Sequence, residues 1–580
     1  MSNFYLFKKY YEVLSLQSKT KLRYLIILLA FSSLAELFSF SLVLPFLTAL
    51  LKPEVIYNDE KFAGIKSFFS IESISDLQIK LTLVFSLFTI FSTIIRVYGL
   101  KFSTKTSFQI GSEISVKLYD SIIRRPYESH IKTNSNTLVN SITYKSSQII
   151  YGGFLPVFSI VTNSLVILSI LIPLFYFYPG ATLKILAIIL VTYLTIILYN
   201  KAKIKNNGLV VSRYSDLIQK QLKESLANIR DIILDNTYGI FVSSYQKNDL
   251  RLKDALGKNQ YIGATPRYYL ESGAILVISL LCYYVIKSGG DITTFIPSLA
   301  IFLIAFQRIL PSTQNIYYYW TAFLGNKIMM MEVIDLLYER PEVANHNQEV
   351  GRLKFNNKIE LKNISFSYSG QSTKILHGVS LEIFKGDKIA VLGETGSGKS
   401  TLIDLVMGLL QPQDGQILID GVKLTIESLK SWQQNISHVP QVITLMDSTI
   451  RSNIIFGRDS KYEDSEERLA AISDILKLNE FMDKKKNGFD EQIGEGGVSL
   501  SGGQRQRLGI ARALYKDTDL YVFDEATSAL DNNTEDYIYE ALFKTYRDKT
   551  FILITHNHSA LKFCNKVFKV SKSGSILQEL

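Results

Sequence analysis

The residues best equipped for chemistry stand in three short runs in the last third of the chain. Gly393-Glu394-Thr395-Gly396-Ser397-Gly398-Lys399-Ser400, followed by Thr401, fits the pattern G-x-x-x-x-G-K-[ST]. Glycines at this spacing let backbone N–H groups wrap phosphate oxygens at a helix N-terminus. Lys399 then reaches the β and γ phosphates, and Ser400 is placed to ligate Mg2+. The apolar stretch from Leu520 to Phe523 ends in Asp524, the acidic partner that Mg2+ requires, and Glu525 beside it can polarise an attacking water. Leu500-Ser501-Gly502-Gly503-Gln504 opens an apolar-periodic stretch, which puts a serine and two glycines at a helix N-terminus, a setting suited to anions. Together these runs point to ATP hydrolysis with Mg2+.

A second set of residues is conspicuous for its surroundings. Arg96, Arg267 and Arg308 lie in three different apolar stretches, where a charge at mid-bilayer costs about 2.5–3.5 kcal/mol. At about 1.5 Å per helical residue they fall roughly 24, 30 and 26 Å below the outer boundary, in the inner part of the membrane. Two readings follow. The arginines snorkel or pair, as Arg267 can with Glu271 four residues on. Alternatively they form a guanidinium ring suited to a phosphate or diphosphate, which arginine grips bidentately. Glu36 also falls well inside the bilayer and must face protein or water. Pro266 and Pro311 predict kinks beside two of the arginines.

These groups need elements to position them. Of 580 residues, 47% are hydrophobic and 20% charged, and the apolar ones bunch between about Tyr24 and Ala322. A membrane helix needs roughly 20 apolar residues. Six stretches qualify: 24–51, 81–100, 149–177, 181–199, 263–286 and 293–323. Lys8, Lys9, Lys19, Lys21 and Arg23 precede the first, and seven further basic residues fill the loop from Lys101 to Gln148. The positive-inside rule therefore puts both termini in the cytoplasm. It also accounts for the net charge of +10 without a nucleic-acid partner. The two long inner connections carry helical patterning, with turns near Arg125–His130 and Thr237–Phe241 as contact elbows. Phe62, Ile65 and Phe69 suggest a short interfacial helix in the first outer loop. The two cysteines, Cys282 and Cys564, offer no disulfide framework, and no cleavable signal is evident. The expected organisation is an all-α, six-helix membrane domain over 1–340 and an α/β phosphate-loop domain over 341–580.

The three runs together resemble the ATP-binding cassette family, whose signature is LSGGQ, and six membrane helices followed by one cassette resemble its exporter half-transporters. The resemblance implies that Tyr368 stacks on adenine, that Gln441 senses Mg2+ and contributes to its coordination, and that Glu495 precedes the signature in a contact loop. It implies that Ser528-Ala-Leu-Asp531 contacts a partner and that His556 is the switch histidine at the γ-phosphate. Asn557 stands where the family more often has arginine, and Tyr521 is a further departure, in the strand before Asp524. In this family one chain's signature covers the ATP of the other, which implies a homodimer with two complete sites. The segments 39–48, 266–271 and 306–312 resemble those of bacterial lipid-linked oligosaccharide flippases (the PglK type) and their O-antigen-flipping relatives. There the arginines are thought to handle the diphosphate and the outer helix the polyprenyl tail. The implied activity is ATP-driven flipping of a polyprenyl-diphosphate-linked oligosaccharide across a bacterial inner membrane. Exporters of other lipids, lipopeptides, peptides or drugs on the same scaffold are the alternative.

Overall fold

A single helix, Ile74–Ile123, runs for 50 residues; it is about 75 Å long, against a hydrocarbon core of about 30 Å. It therefore continues well beyond any bilayer it crosses. The chain is seen here as a computed structural model describing residues 3–51, 53–58, 70–287, 292–339, 353–368, 373–457, 465–482 and 485–578. It divides into two compact units, Met1–Arg125 with Ser129–Arg340, and Pro341–Leu580 with Pro126–Glu128.

The first unit is helical. Its long members are α1 (Leu16–Ser41), α2 (Ile74–Ile123), α3 (Ser135–Phe177), α4 (Pro179–Ala227), α5 (Tyr238–Ala264), α6 (Pro266–Lys287) and α7 (Ile292–Tyr338). Among the described residues, Leu16–Leu50, Ile74–Ile123, Ser135–Phe177 and Thr182–Ala227 are long and apolar enough to span a membrane. The remaining two expected spans are helical, as α6 and most of α7. On α2, Ile79, Leu83, Leu87, Ile90, Ile94 and Val97 are exposed, as a face in contact with lipid tails requires. Phe40, Ile170, Leu174, Ala305 and Ile309 pack together and join α1, α3 and α7 into one core.

Several expectations are refined. The first span is broken at Leu42, with a second helix over Val43–Leu51. Pro266 begins α6 after the break at Thr265, whereas Pro311 sits inside α7 without ending it. The elbow at Arg125–His130 runs into the short helix Tyr127–Lys132, and the one at Thr237–Phe241 is the start of α5, just after Asn236 in a left-handed turn. The proposed outer-loop helix around Phe62, Ile65 and Phe69 lies outside the described residues.

Within its length, α3 is not a plain α-helix. Ser141–Lys145 and Ile150–Phe154 are π-helical turns. The first carries Lys145, buried to 2% exposure, onto Asp216 of α4 (2.8 Å) and Glu332 of α7 (2.7 Å). Ser212 donates to both oxygens of Glu332, and Asn140 donates to Asp216. A buried lysine survives there because two carboxylates and further hydrogen bonds replace its water. Close approach of α4 and α7 also depends on glycine: a Cβ at Gly208 would lie 2.5 Å from the Gly325 carbonyl oxygen.

The second unit holds two sheets. One is antiparallel, in the order β2 (Leu376–Phe384), β1 (Lys358–Phe366), β4 (Asp414–Ile419), β5 (Val422–Lys423). The other runs β10 (Ile576–Gln578), β9 (Lys566–Val570), β3 (Lys388–Gly393), β8 (Thr550–Ile554), β7 (Leu520–Asp524), β6 (Ile436–Val439). It is parallel except for the edge pair β9–β10. The strands β3, β7 and β8 are almost wholly buried, as continuous apolar runs in a parallel sheet must be. Their carboxyl ends deliver Gly393, Asp524 and the Thr555–His556 turn to one edge, the usual place for ligands in such sheets.

Candidate functional site: a phosphate loop in the cassette and a charged trio among the helices

The phosphate loop joins β3 to α8 (Lys399–Val406). Gly398 caps that helix with φ +98°, and a Cβ there would lie 2.8 Å from Ile375 Cγ2. A side chain is excluded on both counts. Lys399 turns back over the loop and donates to the carbonyls of Gly393 (2.8 Å) and Glu394 (2.9 Å). Ser397 Oγ is buried without a hydrogen-bond partner among the described residues, and a buried hydroxyl in that position calls for an acceptor or donor from a ligand. Thr395, Gly396 and Ser400 are at the surface or close to it, and Thr401 is buried with its Oγ1 3.3 Å from the Tyr368 hydroxyl. The carboxylate of Glu394 instead pairs with exposed Lys572 at 2.6 Å. The loop fits a nucleotide triphosphate.

Facing it, Glu525 occupies a left-handed backbone conformation, φ +49°, which a non-glycine residue adopts only where its surroundings impose it. Its two oxygens are taken separately. Gln441 Nε2 donates to Oε2 at 2.8 Å, and His556 Nε2 lies 3.3 Å from Oε1. Two residues far apart in sequence thus converge on one carboxylate. Burial, and then the charge of Glu525, push the pKa of neighbouring Asp524 above the ordinary carboxylate value, while Lys399 opposes the rise. Two crowded carboxylates of this kind, Asp524 and Glu525, are a donor set that a divalent cation relieves, so the chemistry at Asp524 fits Mg2+.

The third run is α9 (Gly502–Tyr515), capped by a reciprocal pair: Gln504 N–H donates to Ser501 Oγ, and Ser501 N–H to Gln504 Oε1. This closes a capping box. Its glycines have a packing role that spacing alone did not reveal. A Cβ at Gly503 would stand 3.1 Å from Leu530 Cδ2 and 3.2 Å from the Ala529 carbonyl oxygen. Gln506, one turn into the helix, completes the connection. Its Nε2 donates to Ser528 Oγ (2.9 Å) and the Glu525 carbonyl (3.4 Å), and its Oε1 accepts from Ala529 N–H (2.8 Å). The signature helix and the loop after Glu525 are thereby one rigid piece. Gln506 carries no spacing signal in the sequence. Neither does Asp404 on α8, whose carboxyl is pushed up to about 6 by burial and by Asp524. The side chain of Glu495 lies outside the described residues.

In the first unit, the three arginines separate into two groups. Arg96 of α2 and Arg308 of α7 both reach Glu36 of α1, each with Nη1 3.4 Å from Oε1. Glu36 is 2% exposed, while the arginine side chains are 54% and 36% exposed. Arg267 pairs with Glu271 on its own helix at 3.6 Å. Glu36, whose role spacing left open, is the centre of the trio.

The ABC transporter family model matches residues 376–528, and the ABC transporter transmembrane region model matches residues 22–307. Over 544 residues the chain is 27% identical to an ATP-dependent lipid A-core flippase of Vibrio vulnificus, covering 92% of this chain and 88% of that one. A Haemophilus influenzae protein of the same description is 28% identical over 78% of this chain and 77% of its own length. A third, from Chromohalobacter salexigens, is 36% identical over 247 residues, an alignment that spans only 42% of that relative. A solved bacterial Atm1-family ABC exporter with ATP bound superposes with a TM-score of 0.79 at 18% identity, covering 97% of this chain and 95% of that one. The phosphate loop, signature helix and convergent Glu525 thus stand in a fold and a family that agree: the chain is an ABC transporter of exporter architecture, an ATPase coupled to movement of a substance across a membrane.

Proposed function

We propose that the transporter works as a homodimer in a bacterial inner membrane, its termini cytoplasmic, flipping a polyprenyl-diphosphate-linked oligosaccharide from the inner to the outer leaflet. The observation that carries this reading is the convergence of Arg96 and Arg308 on one buried carboxylate within otherwise apolar helices. Two permanent cations held together there suit an anionic phosphate head, while a long apolar tail can stay in lipid. Arg267, beside the break at Thr265, adds a third guanidinium to the same reading.

In the motor, Lys399 and the loop amides hold the phosphates, and Tyr368 packs against the adenine. Asp524, Ser400 and Gln441 would hold Mg2+, which when bound offsets charge on the phosphates. Glu525 orients the attacking water and draws its proton; His556 and Gln441 hold the carboxylate in place. Ser501, Gly502, Gly503 and Gln504 of one chain cap the nucleotide held by the other, so each site needs both copies.

The names of the relatives support a second lipid, lipid A-core. Both substrates present a phosphorylated head, and the experiment separates them. The full chain is reconstituted in liposomes, and ATP-dependent flipping of undecaprenyl-diphosphate oligosaccharide and of lipid A-core is measured side by side. The proposal expects the first to move and Arg96→Ala or Arg308→Ala to reduce that movement more than about tenfold. Movement of lipid A-core alone would favour the second reading. Movement unaffected by either substitution would remove the arginines from the head-group site.

A further inference from the structure

The trio around Glu36 has an arrangement that simple neutralisation does not require. Both guanidiniums approach the same oxygen, Oε1, and both stand at 3.4 Å, longer than the 2.7–2.9 Å of a tight charge-assisted hydrogen bond. Each contact uses a single Nη1 of a group that carries five N–H donors in a fork. The carboxylate is fully enclosed, but the arginine side chains are substantially exposed. Each arginine therefore has one edge toward a buried anion and part of its surface open, about half for Arg96 and a third for Arg308. The trio has a net charge of +1, with two cations and one anion.

We infer that Glu36 is an exchangeable internal anion, a positioning residue that holds Arg96 and Arg308 in register and competes with the phosphate head for them. This rests on the reading that these arginines take the anionic head. Two guanidiniums directed at one point repel each other unless an anion lies between them, so Glu36 keeps them converged before any head group arrives. A diphosphate, with more charge and more oxygens than a carboxylate, then engages the open edges and draws the arginines from Oε1. As the head departs, Glu36 recovers them. The carboxylate thereby lowers affinity and speeds release, which a transporter needs as much as capture.

The test uses the full chain in liposomes, with stimulation of ATP hydrolysis by undecaprenyl diphosphate as the readout and undecaprenol as the uncharged control. Inorganic pyrophosphate as competitor tells recognition of the head alone from recognition of the whole lipid. For Glu36→Gln the expected result is a half-maximal undecaprenyl diphosphate concentration lower by about tenfold or more, with a lower maximal stimulated rate. Glu36→Asp retains the charge but withdraws it by one methylene, and should shift the half-maximal concentration in the same direction by a smaller factor. It serves as the test if the glutamine variant does not fold, as read by thermal unfolding. A half-maximal concentration unchanged or raised in a folded variant overturns the inference, because a purely structural carboxylate would cost stability without strengthening binding. The two failures are distinguishable. If Arg96→Gln with Arg308→Gln does not weaken stimulation, the head-group reading falls. If it does weaken it while both Glu36 variants match wild type, only the exchange falls.

Discussion

The cassette and the membrane unit each centre a site on one glutamate held by two neighbours, and the neighbours differ in kind. Glu525 is held by the amide of Gln441 and the imidazole of His556, groups that orient a carboxylate without a fixed counter-charge. Glu36 is held by two guanidiniums, groups that bring a counter-charge of their own. The first arrangement leaves a base available to a proton. The second makes a carboxylate into a counter-ion. The frames differ too: Glu525 sits on a strained turn at the end of a buried strand, and Glu36 on a helix held by its neighbours.

The largest expected effect breaks the first of these sites. Glu525→Gln keeps the shape and the contacts but removes the base, so ATP hydrolysis should fall by about 10²-fold or more with ATP binding retained. Phosphate release and nucleotide binding on the same preparation check it, and hydrolysis near the wild-type rate would transfer the role to another group. Next, Lys145→Met leaves Asp216 and Glu332 without their shared cation and should lower stability by about 3 kcal/mol, read by thermal unfolding. No loss would mean that the two carboxylates find water. Gln506→Ala removes three hydrogen bonds between α9 and the loop after Glu525. A loss of about 1–3 kcal/mol is expected in the cassette unit, with hydrolysis falling more than ATP affinity. The smallest effect is at Cys564, whose thiol burial pushes up to about 12. An acid whose folded value lies above its unfolded one favours the folded state at low pH. Its contribution should thus be constant below about pH 9 and be lost as pH rises toward 12. Cys564→Ala should flatten that slope, and thiol alkylation of the wild-type chain should be slow below it.

The motor was legible because its chemistry is contiguous: Gly393 to Ser400, Leu500 to Gln504, and Asp524 with Glu525 each need neighbouring backbone groups on one turn. The membrane helices were legible from length and apolarity, though not the break at Leu42 or the π-helical turns of α3, which depend on packing between helices. What could not be read was pairing across elements. Glu36 is 60 residues from Arg96 and 272 from Arg308, and no periodicity joins them. Gln506 is silent in the sequence for the same reason. Its amide makes bonds to a loop some 20 residues away, and only the folded loop brings those groups within reach.

That single amide has a consequence for how such a protein can change over time. Gln506 serves three atoms of the 525–529 loop with one donor group and one acceptor group. A shift in the loop's sequence or length is therefore tolerated only if a side chain of the same reach and polarity remains on the helix. Drift at these positions is coupled. Variation in the water-activating loop should be found only where the side chain at 506 and the glycine at 503 are kept.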